Sequence, residues 1–358
     1  MDSSLNTAPL DVIGIMSGTS LDGIDLAACR FEHEGYRYRY TLLGSRIIPY
    51  TEEWVKRLSD VYTAPAREVF ATSAALGELF GSLVNEFNRD CGLQPNLIAS
   101  HGHTVFHEPA KGFTIQIGSG AHIAALTGID TICDFRSKDV ALKGQGAPLV
   151  PVGDHLLFSE YTACLNLGGI ANISLIQNER RVAWDICPVN MALNELALRT
   201  GRAYDEGGQL AASGTILPDV LERMNALSFY SGKGPKSLGR EWYEQQFRPL
   251  LEQGQPADLA RTVCEHIALQ HAHVLALLPA DADVLVSGGG AYNRFLIERM
   301  AETGKRKLTI PDEGLVNFKE AIVFAFLGAL NYWGRVNVFD SATGSVKQHI
   351  GGAMYRGL

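Results

Sequence analysis

Hydrophobic and polar positions along the chain lay out one series of elements and then begin it again. Residues 12–31, VIGIMSGTSLDGIDLAACRF, form an apolar run, a polar turn and a second apolar run. That pattern predicts two strands, and the turn between them, Ser17 to Gly23, is longer than the two residues a hairpin needs. GYRYRYTLLGSRIIPY (35–50) alternates polar and apolar residues and predicts a third, half-exposed strand. EVFATSAALGELFGSLVNEF (68–87) puts Phe70, Leu76, Leu79, Phe80, Leu83, Val84 and Phe87 on one helical stripe. NLIASHGHT (96–104) and FTIQIG (113–118) read as short strands, SGAHIAALTG (119–128) as a helix stopped by glycine, and DTICDF (130–135) as a buried strand.

The order then restarts. ACLNLGGIANISLIQ (163–177) is an apolar run, a Gly-Gly turn and an apolar run, and RRVAWDIC (180–187) supplies a third strand. PVNMALNELALR (188–199) predicts a helix with proline at its start. Helical stretches continue to about residue 277, and ADVLVSGGGAYN (282–293) is a strand ending in three glycines. A helix, RFLIERMAETG, follows it, and FKEAIVFAFLGALNYW (318–333) is the last long helix. A duplicated α/β domain with a ligand cleft between the halves is the simplest account. The expected domains are 10–155, with helix 318–334 as a candidate addition to it, and 160–317.

Bulk properties narrow the partners. At 358 residues the chain is long for a single core, and its 37 glycines call for many tight turns. The net charge of −8 comes with no Lys/Arg-rich block, which argues against a nucleic-acid or anionic-membrane partner. It leaves a phosphate ligand open, because backbone N–H groups of a Gly-rich loop can bind one. Cysteines 29, 91, 133, 164, 187 and 264 are scattered without a Cys-x-x-Cys pair and are read as buried reduced thiols. The start, MDSSLNTAPLD, lacks the basic and apolar parts of a signal peptide, and AIVFAFLGALNYW falls short of the ~20 apolar residues of a membrane helix. A cytoplasmic protein is expected.

Two Gly-rich hairpins and a later Gly288-Gly289-Gly290 are what a nucleotide lying across a cleft requires, one turn for the γ-phosphate and the other for the β-phosphate. Neither G-x-x-x-x-G-K-[ST] nor G-x-G-x-x-G is present, so P-loop and dinucleotide-binding readings lose support. The histidines of HGHTVFH (101, 103, 107) fit no common zinc spacing and are read as loop hydrogen-bonding groups. His266, His271 and His273 are read as surface or packing residues of a helix.

The stretch GIMSGTSLDGID resembles the signature of the anhydro-N-acetylmuramic acid kinases, bacterial sugar kinases of the actin-like ATPase superfamily. SHGHTVFHEP, DFRSKDVALKGQGAPLVP, LNLGGIANIS, YDEGGQLAASG, PKSLGREW, VSGGGAYN and KEAIVFAFLGAL resemble further blocks in family order, so the likeness runs from about 12 to 333. It implies two ribonuclease-H-like domains of the actin-like ATPase type with an interdomain cleft. It also implies ATP and Mg²⁺, a small sugar substrate, and a homodimer. The implied reaction opens the bridge of 1,6-anhydro-N-acetylmuramic acid with water and phosphorylates O6.

The resemblance also implies roles. DICPVN matches the block of the catalytic base, giving Asp185 as base with Pro188 and Asn190 at the substrate; the plainer alternative for Asp185 is a helix cap or solvated strand end. His101, His103, Arg136, Asp139 and Glu320 fall to the sugar, with Arg136 suited to grip the lactyl carboxylate. The plainer alternatives are a surface ion pair of Arg136 with Asp139, and a Glu320 that only favours the dipole of a helix it opens. The nucleotide set comprises Gly18, Thr19, Ser20, Leu21, Asp22, Gly23, Ile24 and Asp25 of the first turn, and Asn166, Gly168, Gly169 and Asn172 of the second. Gly207, Gly288, Gly289, Gly290 and Asn293 complete it, and Asp22 is the metal candidate. Ile186, Cys187 and Val189 stand where the family more often has Thr, Gly and Gly, and His103 where it usually has Gln. Losing two glycines is expected to remove close-approach space beside the ligand. A chaperone-like or filament-forming ATPase, a sugar-binding regulator without turnover and a kinase of another sugar are the rival readings.

Overall fold

The computed structural model describes residues 8–18, 21, 23–232 and 236–358. The chain divides into two compact units, one of residues 1–157 with 318–358 and the other of 158–317.

In the first unit, strands β1 (Leu10–Ser17), β2 (Gly23–Glu34) and β3 (Arg37–Pro49) pair antiparallel in sequence, as the alternating pattern predicts. Helix Ala66–Cys91 then crosses over to β4 (Leu97–Ser100), which lies parallel to β1. β5 (His103–Glu108) and β6 (Phe113–Ile117) form a separate two-stranded sheet, and β7 (Asp130–Cys133) lies parallel to β4. A C-terminal strand, Ala353–Tyr355, which no sequence pattern announces, pairs antiparallel with β7. The main sheet runs C-terminal strand, β7, β4, β1, β2, β3.

The second unit repeats the order. β8 (Ala163–Leu167), β9 (Ile170–Gln177) and β10 (Arg180–Pro188) are antiparallel, and β11 (Asp283–Ser287) and β12 (Lys307–Thr309) run parallel to β8. Apart from the C-terminal strand, each sheet has the order 3-2-1-4-5 with three antiparallel and two parallel members. That is the ribonuclease-H-like arrangement, twice. The expected duplication of an α/β domain is the observed one.

Helix Ala66–Cys91 buries Val69, Leu76, Phe80, Val84 and Phe87 against Ile13, Ile15 and Ile98 of β1 and β4. Phe70, placed on that stripe from the sequence, is 74% exposed, because Val69 and Thr72 define the buried face at that end. The opposite face of the sheet takes helix Glu313–Tyr332. That helix starts five residues earlier than its apolar run suggests, so Glu320 lies two turns inside it rather than opening it. Here the approach is backbone to backbone: a Cβ on Gly14 of β1 would collide with the carbonyl of Ala321. Only glycine permits that spacing. Two sequence expectations fail locally. Pro188 ends β10 and the following helix begins at Asn190, and Cys91 is exposed at the end of its helix while Cys29, Cys164, Cys187 and Cys264 are buried. No described helix is long and apolar enough to cross a membrane.

Gly14→Ala should therefore lower unfolding free energy by about 3 kcal/mol, since neither backbone can yield. Gly44→Ala, whose Cβ would meet the Phe87 ring at 3.4 Å, should change it by less than about 1 kcal/mol. Urea denaturation of both variants decides the point, and equal losses would contradict the packing argument.

Candidate active site

In the second unit the β8–β9 turn, Gly168-Gly169, lies beside the glycines that follow β11. Gly288 has a left-handed backbone (φ +83°) and packs so closely on Asn166 that a Cβ would strike its side-chain oxygen. Gly290 abuts Leu167 in the same way. Asn190 donates from Nδ2 to the Leu167 carbonyl at 3.0 Å, and its backbone N–H donates to Gly168 at 3.1 Å. The turn is thus held from both sides. Beside it opens a cavity of about 560 Å³, lined in part by Asn190, Gly207, Gly289 and Asn293. Asn293 caps the next helix by accepting from Leu296 N–H at 3.0 Å. The structure also puts Tyr204, Asp205, Glu206, Tyr292 and Arg294 in this wall, none of which the sequence reading singled out. YDEGG, quoted only as a block, was the available signal. Asn190 belongs to this cavity although the resemblance assigned it to the sugar.

Register supplies the next link. Asn166, Asn172 and Asp185 occupy one row across β8, β9 and β10, and Ser287 of β11 extends it. Asp185 is half-buried at a bulge that ends before Cys187. Its Oδ2 accepts from Leu238 N–H at 2.7 Å, and its own N–H donates to the Lys236 carbonyl at 2.9 Å. Burial pushes the Asp185 carboxyl above its usual range, and the Leu238 N–H only partly opposes this. Oδ1 has no partner among the described residues. This is neither a helix cap nor a freely solvated strand end. Lys236 is itself fixed, donating to the carbonyls of Phe229 (2.7 Å) and Gly232 (3.0 Å) over the Phe229 ring. The block PKSLGREW therefore clamps Asp185, a role that 53 residues of separation concealed.

In the first unit the end of β1 meets the turn after β4. His101 N–H donates to Ile15 O at 3.0 Å, and Ser17 Oγ lies 3.3 Å from His103 Nδ1 and 2.6 Å from the Tyr50 hydroxyl. Burial lowers His103 to about 4, so its ring is neutral. His101 is pushed down to about 3, by burial first and then by the Arg136 charge. Its Nδ1 lies 2.7 Å from the Gly102 carbonyl, which can only accept, so Nδ1 carries the proton and Nε2 is an acceptor. Arg136 uses that acceptor, with Nε at 3.1 Å and Nη2 at 2.8 Å, and donates from Nη1 to Gly146 O at 2.7 Å. Two of its five N–H groups have no partner among the described residues. Burial lowers the guanidinium to about 10, against the opposing charges of Glu320 and Asp139, so it stays cationic at neutral pH.

Asp139 is wholly buried, with Oδ2 accepting from Gly146 N–H and Oδ1 from the Thr343 hydroxyl, each at 2.7 Å. It is neither exposed nor in a surface ion pair. His107 Nδ1 lies 3.1 Å from Thr114 Oγ1, so all three histidines of this loop are engaged in hydrogen bonds. Leu21 has a left-handed backbone, Gly23 and Ile24 are buried, and Asp25 pairs with Met16 and Ile47 in the ladder. Thr19, Ser20 and Asp22 lie outside the described residues.

The anhydro-N-acetylmuramic acid kinase family model matches residues 10–357. The chain belongs to that family. A relative named anhydro-N-acetylmuramic acid kinase from Pseudomonas syringae pv. tomato is 34% identical over 96% of this chain and 98% of its own. Another so named, from Nitrosospira multiformis, is 36% identical over the same shares. Among solved structures, component A of the (R)-2-hydroxyglutaryl-CoA dehydratase of Acidaminococcus fermentans is similar at a TM-score of 0.46 and 11% identity, covering 89% of this chain and 97% of that one.

Membership gives the altered DICPVN block its meaning. Ile186, Cys187 and Val189 are all buried in the core of the second unit, and none lines the cavity. Their side chains are packed in the core and take no space from that cavity. Cys187→Gly, which restores the family's commoner residue, should cost about 3 kcal/mol through the void and the added backbone freedom. Nucleotide KM should stay within twofold. A stable variant with altered nucleotide KM would place the thiol at the ligand instead.

Proposed function

We propose that this chain opens the 1,6-anhydro bridge of 1,6-anhydro-N-acetylmuramic acid with water while moving the γ-phosphoryl group of ATP to O6, yielding N-acetylmuramic acid 6-phosphate and ADP. As a member of its family the chain is an enzyme, a kinase of peptidoglycan recycling that uses ATP. The finer assignments rest chiefly on one observation. Asp185 is a half-buried carboxylate of raised basicity, with one oxygen fixed by a backbone N–H and the other without a described partner.

That carboxylate suits a general base. Asp185 Oδ1 takes a proton from water as the water oxygen bonds to C1, on the face opposite the departing O6, as in inverting glycoside hydrolysis. O6 leaves C1 and bonds to the γ-phosphorus, so the phosphoryl group caps the charge that an acid would otherwise neutralise. The proton on Asp185 is released to solvent, which balances the reaction. Arg136 is assigned the lactyl carboxylate through its two remaining N–H groups, with Glu320 and the neutral His101 setting its field. Asn166, Gly168, Gly169, Asn172, Gly288, Gly289 and Gly290 are assigned the phosphates, and the cavity with Gly207 and Asn293 the nucleoside. Backbone donors of the first turn, from Gly18 to Asp25, complete the phosphate set.

Mg²⁺ belongs to this reading as a partner of the nucleotide. No group of three His, Cys, Asp or Glu among the described residues could hold an ion alone. A metal carried by phosphates with one or two carboxylates needs no such group. It would neutralise charge on the transferring phosphoryl group. Asp22 remains its proposed ligand. Work in the cytoplasm as a homodimer is part of the same proposal.

Incubation with Mg-ATP and the anhydro sugar in ¹⁸O-water should add phosphate and one labelled oxygen at C1. Asp185→Asn, which keeps an acceptor for Leu238 N–H, should lower kcat by about 10²–10⁴-fold. Phosphate without label would overturn the role of water. The acid limb of kcat/KM should lie above the ordinary aspartate value of about 3.9, because the base must be ionised and burial raises its pKa. A limb at or below that value would contradict the assignment.

A further inference from the structure

Asp139 and Thr343 make a continuous hydrogen-bonded path to Arg136, and its members come from two stretches of chain more than 190 residues apart. The Thr343 hydroxyl donates to Asp139 Oδ1 at 2.7 Å, and Asp139 Oδ2 accepts from Gly146 N–H at 2.7 Å. The carbonyl of the same Gly146 peptide residue accepts from Arg136 Nη1 at 2.7 Å, and the guanidinium's other edge is spent on His101. Two backbone bonds staple the loop to the C-terminal segment, Gln145 N–H to Thr343 O at 2.8 Å and Val346 N–H to Leu142 O at 3.0 Å.

Thr343 Oγ1 also lies 3.3 Å from Phe339 O and from Ser345 Oγ, but it has one proton, and the short bond to a carboxylate is the strongest of the three. His349 Nε2 stands 3.8 Å from Asp139 Oδ1, beyond hydrogen-bond distance. Gly144 packs flat on the carboxylate, leaving no room for another donor on that side. Asp139 thus has Gly146 N–H and the Thr343 hydroxyl as its hydrogen-bond donors, and its charge also acts on the Arg136 guanidinium.

We infer that Thr343 and Asp139 are positioning residues for sugar recognition: they hold the Gly146 carbonyl that aims the Arg136 guanidinium at the substrate carboxylate. Asp139 itself touches no sugar. The C-terminal segment after helix Glu313–Tyr332 therefore sets affinity for an acidic sugar. This inference rests on the assignment of Arg136 to the lactyl carboxylate.

Thr343→Val keeps the shape and removes the donor, and Thr343→Ser keeps the donor. The two ligands are 1,6-anhydro-N-acetylmuramic acid and its counterpart without the lactyl group, 1,6-anhydro-N-acetylglucosamine. Their affinity ratio, read by calorimetry on the full chain, does not depend on the folded fraction. Thr343→Val should weaken the acid about tenfold in Kd and KM, as loss of a hydrogen bond to a charged group implies. kcat, the KM for ATP and the affinity for the uncharged sugar should stay within twofold, and Thr343→Ser should restore the acid. Thr343→Ala should repeat the valine result. If Thr343→Val weakens both sugars equally, or neither, while Arg136→Gln weakens only the acid, the positioning role is wrong and the Arg136 assignment stands. If Arg136→Gln leaves the acid unaffected, the assignment itself fails and the inference falls with it.

Discussion

The close passage of helix Glu313–Tyr332 over β1 governs the first unit. At Gly14 the helix backbone occupies the place of a side chain, so the sheet and the last long helix meet without an intervening layer. The apolar faces that follow from this, Phe324, Phe326, Leu327 and Leu330, are wholly buried. Each such side chain contributes on the order of 1.5–3 kcal/mol. The same helix brings Lys319 against Asp154 at 2.7 Å, a pair only 6% and 4% exposed, and sets Phe324 edge-on to His101 at 4.6 Å. A segment more than 300 residues along the chain thereby sets the packing around a ring that Arg136 uses as acceptor. Charged groups so far from water are tolerable only when paired, and Asp139, Asp154 and Arg136 each have a near partner.

Burial does different electrostatic work in the two units. Around His101 and His103 it strips the imidazoles of charge, so Arg136 remains the cation of that turn and its remaining donors are not contested by a second positive group. Around Asp185 it makes a carboxylate more basic without giving it an ion-pair partner. A lysine bonded directly to Asp185 would reverse that shift. Lys236 stands near but spends its ammonium on two carbonyls and an aromatic face, offering Asp185 only its backbone carbonyl.

The repeated element order was legible because each hairpin is two apolar runs about a polar turn, a pattern that local periodicity carries completely. The glycine motifs were legible for a similar reason: Gly288 adopts a backbone that few other residues accept. What escaped was long-range. The bond of Thr343 to Asp139 joins residues 204 apart, and that of Leu238 to Asp185 residues 53 apart, and no period in the sequence encodes either. Errors inside elements were of another kind. Phe70 lies off the buried face that Val69 and Thr72 define, and Pro188 looked like a helix start because it precedes one by two residues. The C-terminal strand is three residues long and partly exposed, too short for alternation to register.

The altered DICPVN block sets one half-buried polar residue among neighbours that belong to the core. The bulge after Asp185 lets one residue face the polar row while Ile186, Cys187 and Val189 turn inward to join the core. Asp185 stands in the polar row and Asn190 lines the cavity; the residues between them contribute volume. Filling that volume with Ile, Cys and Val in place of smaller residues makes the surroundings of Asp185 less polar. Burial also pushes the Cys187 thiol far up, so it stays neutral and adds no charge beside the carboxylate. The rise of the Asp185 carboxyl is therefore the work of burial, with no charge from the thiol in it. A substitution pattern that looks like decay when read along the chain therefore falls in packing, around a carboxyl that burial raises above its usual range.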